Sequence, residues 1–278
     1  MNMLRRFSSQ FLGMNSTLVY DNSEAYLIDP GVFPPELQRI RKFMIDQKLI
    51  ESILLLTHTH GDHISGWHAF HDLPVYAHEC LKSKSEDVRN NDVRYLRGMY
   101  RKQGYENLDD LRFPDDVNLI KDGEFMEIPP YSFAFFHTPG HSTDMTAIVI
   151  PEEKMLFSGD MLIQTQTPFI LHSIRQYWKS LGRLKDVVVL YDIGCLIPGH
   201  GKPAKSQEDI IRRIENEQSY VQKLAVEGME IVHAADSEEE IKLKLNQKFP
   251  KIAALHSHQS NVQTFLREYE DIYLDDFF

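Results

Sequence analysis

Apolar positions in the first sixty residues change rhythm. Residues 16–20 and 25–28 are short apolar runs separated by Asp21-Asn22-Ser23, the pattern of two strands joined by a tight turn. "IDPG" at 28–31 closes the second run. Pro35 then opens a segment in which Leu37, Ile40 and Met44 recur at helical spacing, a stripe that faces a core. Residues 53–56 are continuously apolar, as in a strand buried on both sides. Strand, helix, strand: the chain opens as α/β.

Residues 79–112 are charged and nearly free of β-branched side chains, and they read as helical, with Gly98 and Gly104 as breaks. Strand-like runs return at 132–136, 146–150, 155–157 and 195–197. A helical stretch at 174–187 turns Leu181 and Leu184 inward. Beyond Pro203 the pattern is helical, and Ser237 with Glu240 forms a capping box for a further helix. The final forty residues read as a small helical cap. This gives a main domain over 1–205 with a helical insertion at about 79–118, a lid or a dimerisation arm, and a helical C-terminal extension over 206–278.

The length of 278 residues suits one large domain or a domain with an appendage. Hydrophobic content of 42% and charged content of 26% are those of a soluble globular protein. A formal charge of −11 repels phosphate backbones and anionic membranes, which argues against a nucleic-acid partner. Cys80 and Cys195 match no metal-knuckle spacing and read as free thiols in a reducing cytosol. The first twenty residues lack the apolar core of a signal peptide, and no run is long enough to span a membrane, so a cytoplasmic location is expected.

The chemistry is concentrated in four short segments. "HTHGDH" (His58, His60, Asp62 and His63) follows the run at 53–56. "TPGH" ending in His141 follows 132–136, "SGD" ending in Asp160 follows 155–157, and "PGH" ending in His200 follows 195–197. Each ligand-type residue sits beside a glycine just past the carboxyl end of a strand, where α/β folds gather their sites. Crowding imidazoles and carboxylates costs desolvation unless a cation offsets it. Neutral imidazole with carboxylate suits zinc, iron, manganese or nickel. Five histidines and two aspartates exceed the needs of one tetrahedral ion and suit a two-metal site.

These segments, taken in order and with "IDPG" near the start, resemble the metallo-β-lactamase superfamily over roughly residues 13–205. The resemblance implies an αβ/βα sandwich: two mixed sheets face to face, helices outside, and the site at one sheet edge. It implies that His58, His60 and His141 hold a first metal and that Asp62, His63 and His200 hold a second, with Asp160 bridging. Asp29 becomes the residue that orients the ligand loop, with Thr57 and Ser142 in lesser supporting roles. His68, His71, His78, His137 and His233 are expected on the surface or in packing, and His256 and His258 are expected to be solvated. His172 and Tyr177 are candidates to wall the pocket.

The function implied is that of a hydrolase with two divalent ions, zinc first, with iron or manganese as alternatives. A bridging hydroxide would cleave an ester, thioester or lactone of a small molecule. Asp62 would orient the nucleophile and Asp160 would shuttle the proton. Glyoxalase II-like thioesterases share the ligand set but carry a basic C-terminal grip, whereas the tail here ends "EYEDIYLDDFF". Lactonases of this fold place a tyrosine shortly after the bridging aspartate, where this chain has Ile163 and, farther on, Tyr177. True β-lactamases generally lack an acidic residue at the position of Asp160. A mononuclear-iron sulfur dioxygenase-type oxidoreductase and a metal-dependent phosphodiesterase are the alternatives. A catalytically dead binding module would have lost ligands, and this chain has lost none.

Overall fold

A computed structural model describes residues 3–164 and 167–278. The first half of the chain builds a six-stranded sheet. β1 (Met3–Ser8), β2 (Asn15–Asp21) and β3 (Glu24–Ile28) form an antiparallel meander. Helix α1 (Pro34–Asp46) then crosses over to β4 (Glu51–Leu55), parallel to β3. The short helix α2 (Gly61–Ile64) leads to β5 (Val75–His78), and α3 (Glu86–Lys102) leads to β6 (Asn118–Ile120), both strands again parallel.

The second sheet has five strands. Its antiparallel part comprises β7 (Phe125–Ile128), β8 (Tyr131–His137), β9 (Thr146–Ile150) and β10 (Met155–Phe157). Helix α4 (Ile174–Leu190) carries the chain to β11 (Cys195–Ile197), parallel to β10. Helices α5 (Gln207–Val232), α6 (Glu238–Lys248) and α7 (His256–Glu268) complete the described chain together with short 3-10 turns.

Three apolar cores separate the layers. Val19, Tyr26, Ile28 and Leu55 of the first sheet meet Phe133, Phe135, Ile148 and Phe157 of the second in the centre of the sandwich. The other face of the first sheet buries the Leu37, Ile40, Met44 stripe of α1 with Leu96, Met99 and Tyr100 of α3. Tyr177, Leu181 and Leu184 of α4, with α5 and α7, cover the outer face of the second sheet. The result is the expected αβ/βα sandwich: each sheet buries one face against the other sheet and one against helices.

Several expectations shift in detail. Only part of 79–112 is α-helix: a 3-10 turn at Glu79–Ser83 precedes α3, and the chain beyond Gln103 is mostly irregular. Gly98 does not break α3, because a single glycine costs a helix only about 1 kcal/mol. Gly104 does, at φ +82°. Rather than standing free, α3 docks on the body: Tyr100 Oη donates to the Val32 carbonyl at 2.6 Å. The strands β5, β6 and β7 do not stand out in the pattern: each has three or four residues and, unlike β10 and β11, none is a wholly apolar run. Among the described residues, no helix is long and apolar enough to cross a membrane, and Cys80 and Cys195 are free thiols.

Candidate metal centre

All seven expected side chains converge at one edge of the sandwich. β4 runs into the loop bearing His58 and His60, and α2 then presents Asp62 and His63 from a single turn. The loops after β8, β10 and β11 deliver His141, Asp160 and His200. Two glycines make the close approach possible. A Cβ on Gly199 would lie 2.3 Å from Asp160 Oδ1, and one on Gly140 (φ +137°) would lie 2.4 Å from the Tyr177 Cα.

The polar atoms divide into two groups. His58 Nε2 is 3.1 Å from His60 Nδ1, which is 2.8 Å from His141 Nε2. On the other side, His200 Nε2 lies 3.1 Å from Asp62 Oδ2 and 3.4 Å from His63 Nε2. Asp160 reaches both groups: Oδ2 is 3.5 Å from His141 Nε2, and Oδ1 is 3.1 Å from His63 Nε2 and 3.5 Å from His200 Nε2. One carboxylate therefore offers an oxygen to each half.

The far sides of the rings set their tautomers. His63 Nδ1 lies 2.9 Å from Asp29 Oδ2, His141 Nδ1 is 2.5 Å from the Phe169 carbonyl, and His200 Nδ1 is 3.2 Å from the Leu12 carbonyl. Thr57 Oγ1 donates its proton to Asp29 Oδ2 at 2.8 Å and so accepts from His58 Nδ1 at 3.2 Å. Acceptors on that side assign the proton to each Nδ1, leaving lone pairs on the four Nε2 atoms. Those lone pairs, His60 Nδ1 and two carboxylates face one another across a buried space. Such a donor set repels itself unless a cation or protons lie between, and it fits divalent ions of intermediate softness.

Electrostatics show the same tension. Burial, reinforced by neighbouring imidazoles, holds His58 and His60 well below the usual histidine range, and burial also lowers His141. Burial opposes charge on His63 and His200 too, but Asp160 with Asp29 or Asp62 outweighs it and raises both. Burial would raise Asp62 and Asp160, yet the surrounding histidines hold Asp160 well below the usual carboxylate range and lower Asp62.

Asp29 occupies the orienting place expected for it: Oδ1 accepts from the Thr57 amide at 2.9 Å, and Oδ2 serves Thr57 and His63. Ser142 does not act in this way, since its buried hydroxyl has no hydrogen-bond partner. Tyr177 is not at the pocket wall, contrary to expectation. Its ring is fully buried, and Oη donates to Glu217 Oε2 at 2.7 Å inside the helical layer, so it does not wall the pocket. His258 is not solvated either: it is buried, with Nδ1 2.8 Å from Tyr220 Oη. His256 is exposed, its ring 5.6 Å from that of Phe169. His172 is half-buried, and its amide donates to the Gly140 carbonyl.

One further residue supports the ligand loop. Buried Asp144 accepts from the Thr59 amide at 3.0 Å and the Thr59 hydroxyl at 2.5 Å through Oδ2, fixing the turn between His58 and His60. Its Oδ1 lies 3.1 Å from Lys84 Nζ. Burial would raise Asp144, but Lys84 and Thr59 hold it down to about 2. The only signal was an aspartate three positions after His141. Another imidazole pair, His78 and His137 beside Cys80, brings nitrogens and sulfur within 4.8 Å. Its rings stack at 4.1 Å and 9°, so their in-plane lone pairs do not converge, and the pair serves packing.

The chain belongs to the metallo-beta-lactamase superfamily, whose model matches residues 10–200. An atrochrysone carboxyl ACP thioesterase from Aspergillus chevalieri is 29% identical over 223 residues, covering 77% of this chain and 61% of that protein. A hydroxyacylglutathione hydrolase from Francisella tularensis subsp. novicida is 30% identical over 162 residues, covering 58% and 52%. The chain thus spans between about half and two thirds of the length of these curated relatives. A metallo-beta-lactamase family protein from Thermus thermophilus superposes with a TM-score of 0.66 at 22% identity, covering 97% of this chain and 94% of that one, and so shares the fold.

Proposed function

We propose that this protein is a metal-dependent hydrolase that holds two divalent cations, zinc foremost, and cleaves an ester, thioester or lactone bond in a small molecule. The observation that carries this reading is the lone-pair arrangement: four imidazole Nε2 atoms, each with its Nδ1 already hydrogen-bonded, point with His60 Nδ1 and two carboxylates at one another. His58, His60 and His141 would hold one ion, Asp62, His63 and His200 the other, with Asp160 between them. Bound there, the ions supply a water acidified from about 15.7 toward about 7 and a positive charge for a developing oxyanion.

The chain's own groups do the rest. Asp62 would orient the water by accepting a hydrogen bond from it, and Asp160 would take the one proton released as the water oxygen bonds to the acyl carbon and pass it to the leaving oxygen or sulfur as that bond breaks. Asp29 and Asp144 hold the loop that carries both halves of the site, so the geometry is set before substrate arrives. The relatives named as a thioesterase and as a hydroxyacylglutathione hydrolase support hydrolysis as the reaction type. The formal charge of −11 supports a small molecule over a nucleic acid as substrate.

The test is a rate screen of the purified protein, loaded with zinc and in parallel with iron, against acyl thioesters, lactones and phosphodiesters, with Asp160→Asn alongside and oxygen uptake followed. Thioester or lactone turnover that is lost in Asp160→Asn supports the proposal. Turnover of phosphodiesters alone, oxygen consumption with iron, or full activity in Asp160→Asn contradicts it.

A further inference from the structure

Among the described residues, no hydrogen bond joins α7 to any of the seven converging side chains, yet α7 grips the segment that orients one of them. The Phe169 carbonyl that receives His141 Nδ1 at 2.5 Å lies in an irregular stretch before α4. On either side of it, the Asn261 side chain of α7 holds the backbone: Oδ1 accepts from the Ile170 amide at 2.8 Å, and Nδ2 donates to the Pro168 carbonyl at 2.9 Å. Thr264, one turn on, donates from Oγ1 to the Ile170 carbonyl at 2.8 Å. Arg267 donates to the Leu171 carbonyl at 2.8 Å.

The Asn261 amide has a single orientation available. Its second N–H meets Tyr220 Oη of α5 at 3.0 Å, and that hydroxyl is in turn 2.8 Å from His258 Nδ1. Asn261 is fully buried and Thr264 is 2% exposed, so removing either side chain takes these bonds from buried backbone groups. Both residues lie beyond the stretch at 10–200 that defines the superfamily match.

We infer that Asn261, supported by Thr264, is a positioning residue for the metal centre. By pinning the peptide units on both sides of Phe169, it fixes the carbonyl that keeps His141 protonated at Nδ1 and its Nε2 lone pair turned toward the cation. The C-terminal helical layer would thereby tune the affinity of the half-site built on His58, His60 and His141. This inference rests on the metal-binding reading above.

The experiment uses the full chain, stripped of metal and titrated with zinc alone against a chromophoric chelator, then with Co2+ alone followed by its visible absorption. Asn261→Ala is compared with wild type, with the milder Thr264→Val, and with Ser237→Ala, which removes the hydrogen bond capping α6. Asn261→Ala is expected to weaken zinc for one of two equivalents about 10-fold, the lower end of losses for residues supporting metal ligands. Thr264→Val should weaken it less, both variants should shift the Co2+ bands, and Ser237→Ala should lower thermal stability with zinc affinity unchanged. Wild-type zinc affinity and Co2+ bands in both Asn261→Ala and Thr264→Val would overturn the inference, as would an equal loss in Ser237→Ala. If Asn261→Ala fails to fold, Thr264→Val decides, with unchanged zinc affinity and bands overturning the inference. A wild-type chain that takes up no zinc overturns the metal reading itself, and this inference with it.

Discussion

His63 Nδ1 donates to Asp29 Oδ2 at 2.9 Å, and the same carboxylate also receives the amide and hydroxyl of Thr57. A single buried side chain thus sets the ring of one proposed ligand and the backbone at the start of the loop carrying it and three others. Asp29 sits at φ +52°, a conformation that asparagine also tolerates.

Asp29→Asn is therefore a clean substitution. It preserves the backbone but puts an NH2 group where one carboxylate oxygen accepts, so a donor faces a donor. Zinc affinity should fall by about 10–100-fold, with the far-ultraviolet circular dichroism unchanged. Competition titration reads this directly, and wild-type affinity in the variant would show that the His63–Asp29 bond does not orient the ligand.

Lys84 and Asp144 form a buried ion pair 3.1 Å apart behind His60. Lys84→Met leaves the Asp144 carboxylate without its cation and should cost about 3–5 kcal/mol in urea unfolding of the metal-free protein. Asp144 is held down to about 2, below its ordinary 3.8. The native state thus binds fewer protons than the unfolded chain in that interval, and the pair's contribution is present above about pH 4 and lost as pH falls through about 2. Between those values wild type should lose stability more steeply than Lys84→Met, and parallel curves would refute the assignment.

Glu217, which accepts from Tyr177 Oη in the helical layer, is pushed by burial up to about 7 from 4.5. Between those values the native state holds a proton that the unfolded chain has released, so this group makes stability fall as pH rises. Glu217→Gln removes that slope. The urea midpoint of the variant should gain on wild type from about pH 5 to pH 8, and a difference constant with pH would contradict the burial argument.

These residues also mark what the chain discloses on reading. The seven converging side chains were legible because each stands beside a glycine after an apolar run, and strand ends are where such folds expose polar groups. The α1 stripe and the capping of α6 through Ser237 were legible because both are local. Asp144, Asn261 and the direction of Tyr177 were not. Asp144 is defined by Thr59 across 85 positions and Asn261 by Ile170 across 91, and no periodicity encodes contacts of that range. Tyr177 follows Asp160 in sequence, but α4 buries its ring and sets its hydroxyl on Glu217 of α5.

The most direct test of the account is the metal content of the purified 278-residue chain, measured by inductively coupled plasma mass spectrometry after dialysis against zinc and then buffer. The account predicts two divalent ions per chain, falling toward one or none when Asp160 becomes Asn. A wild-type chain that retains no transition metal would contradict it.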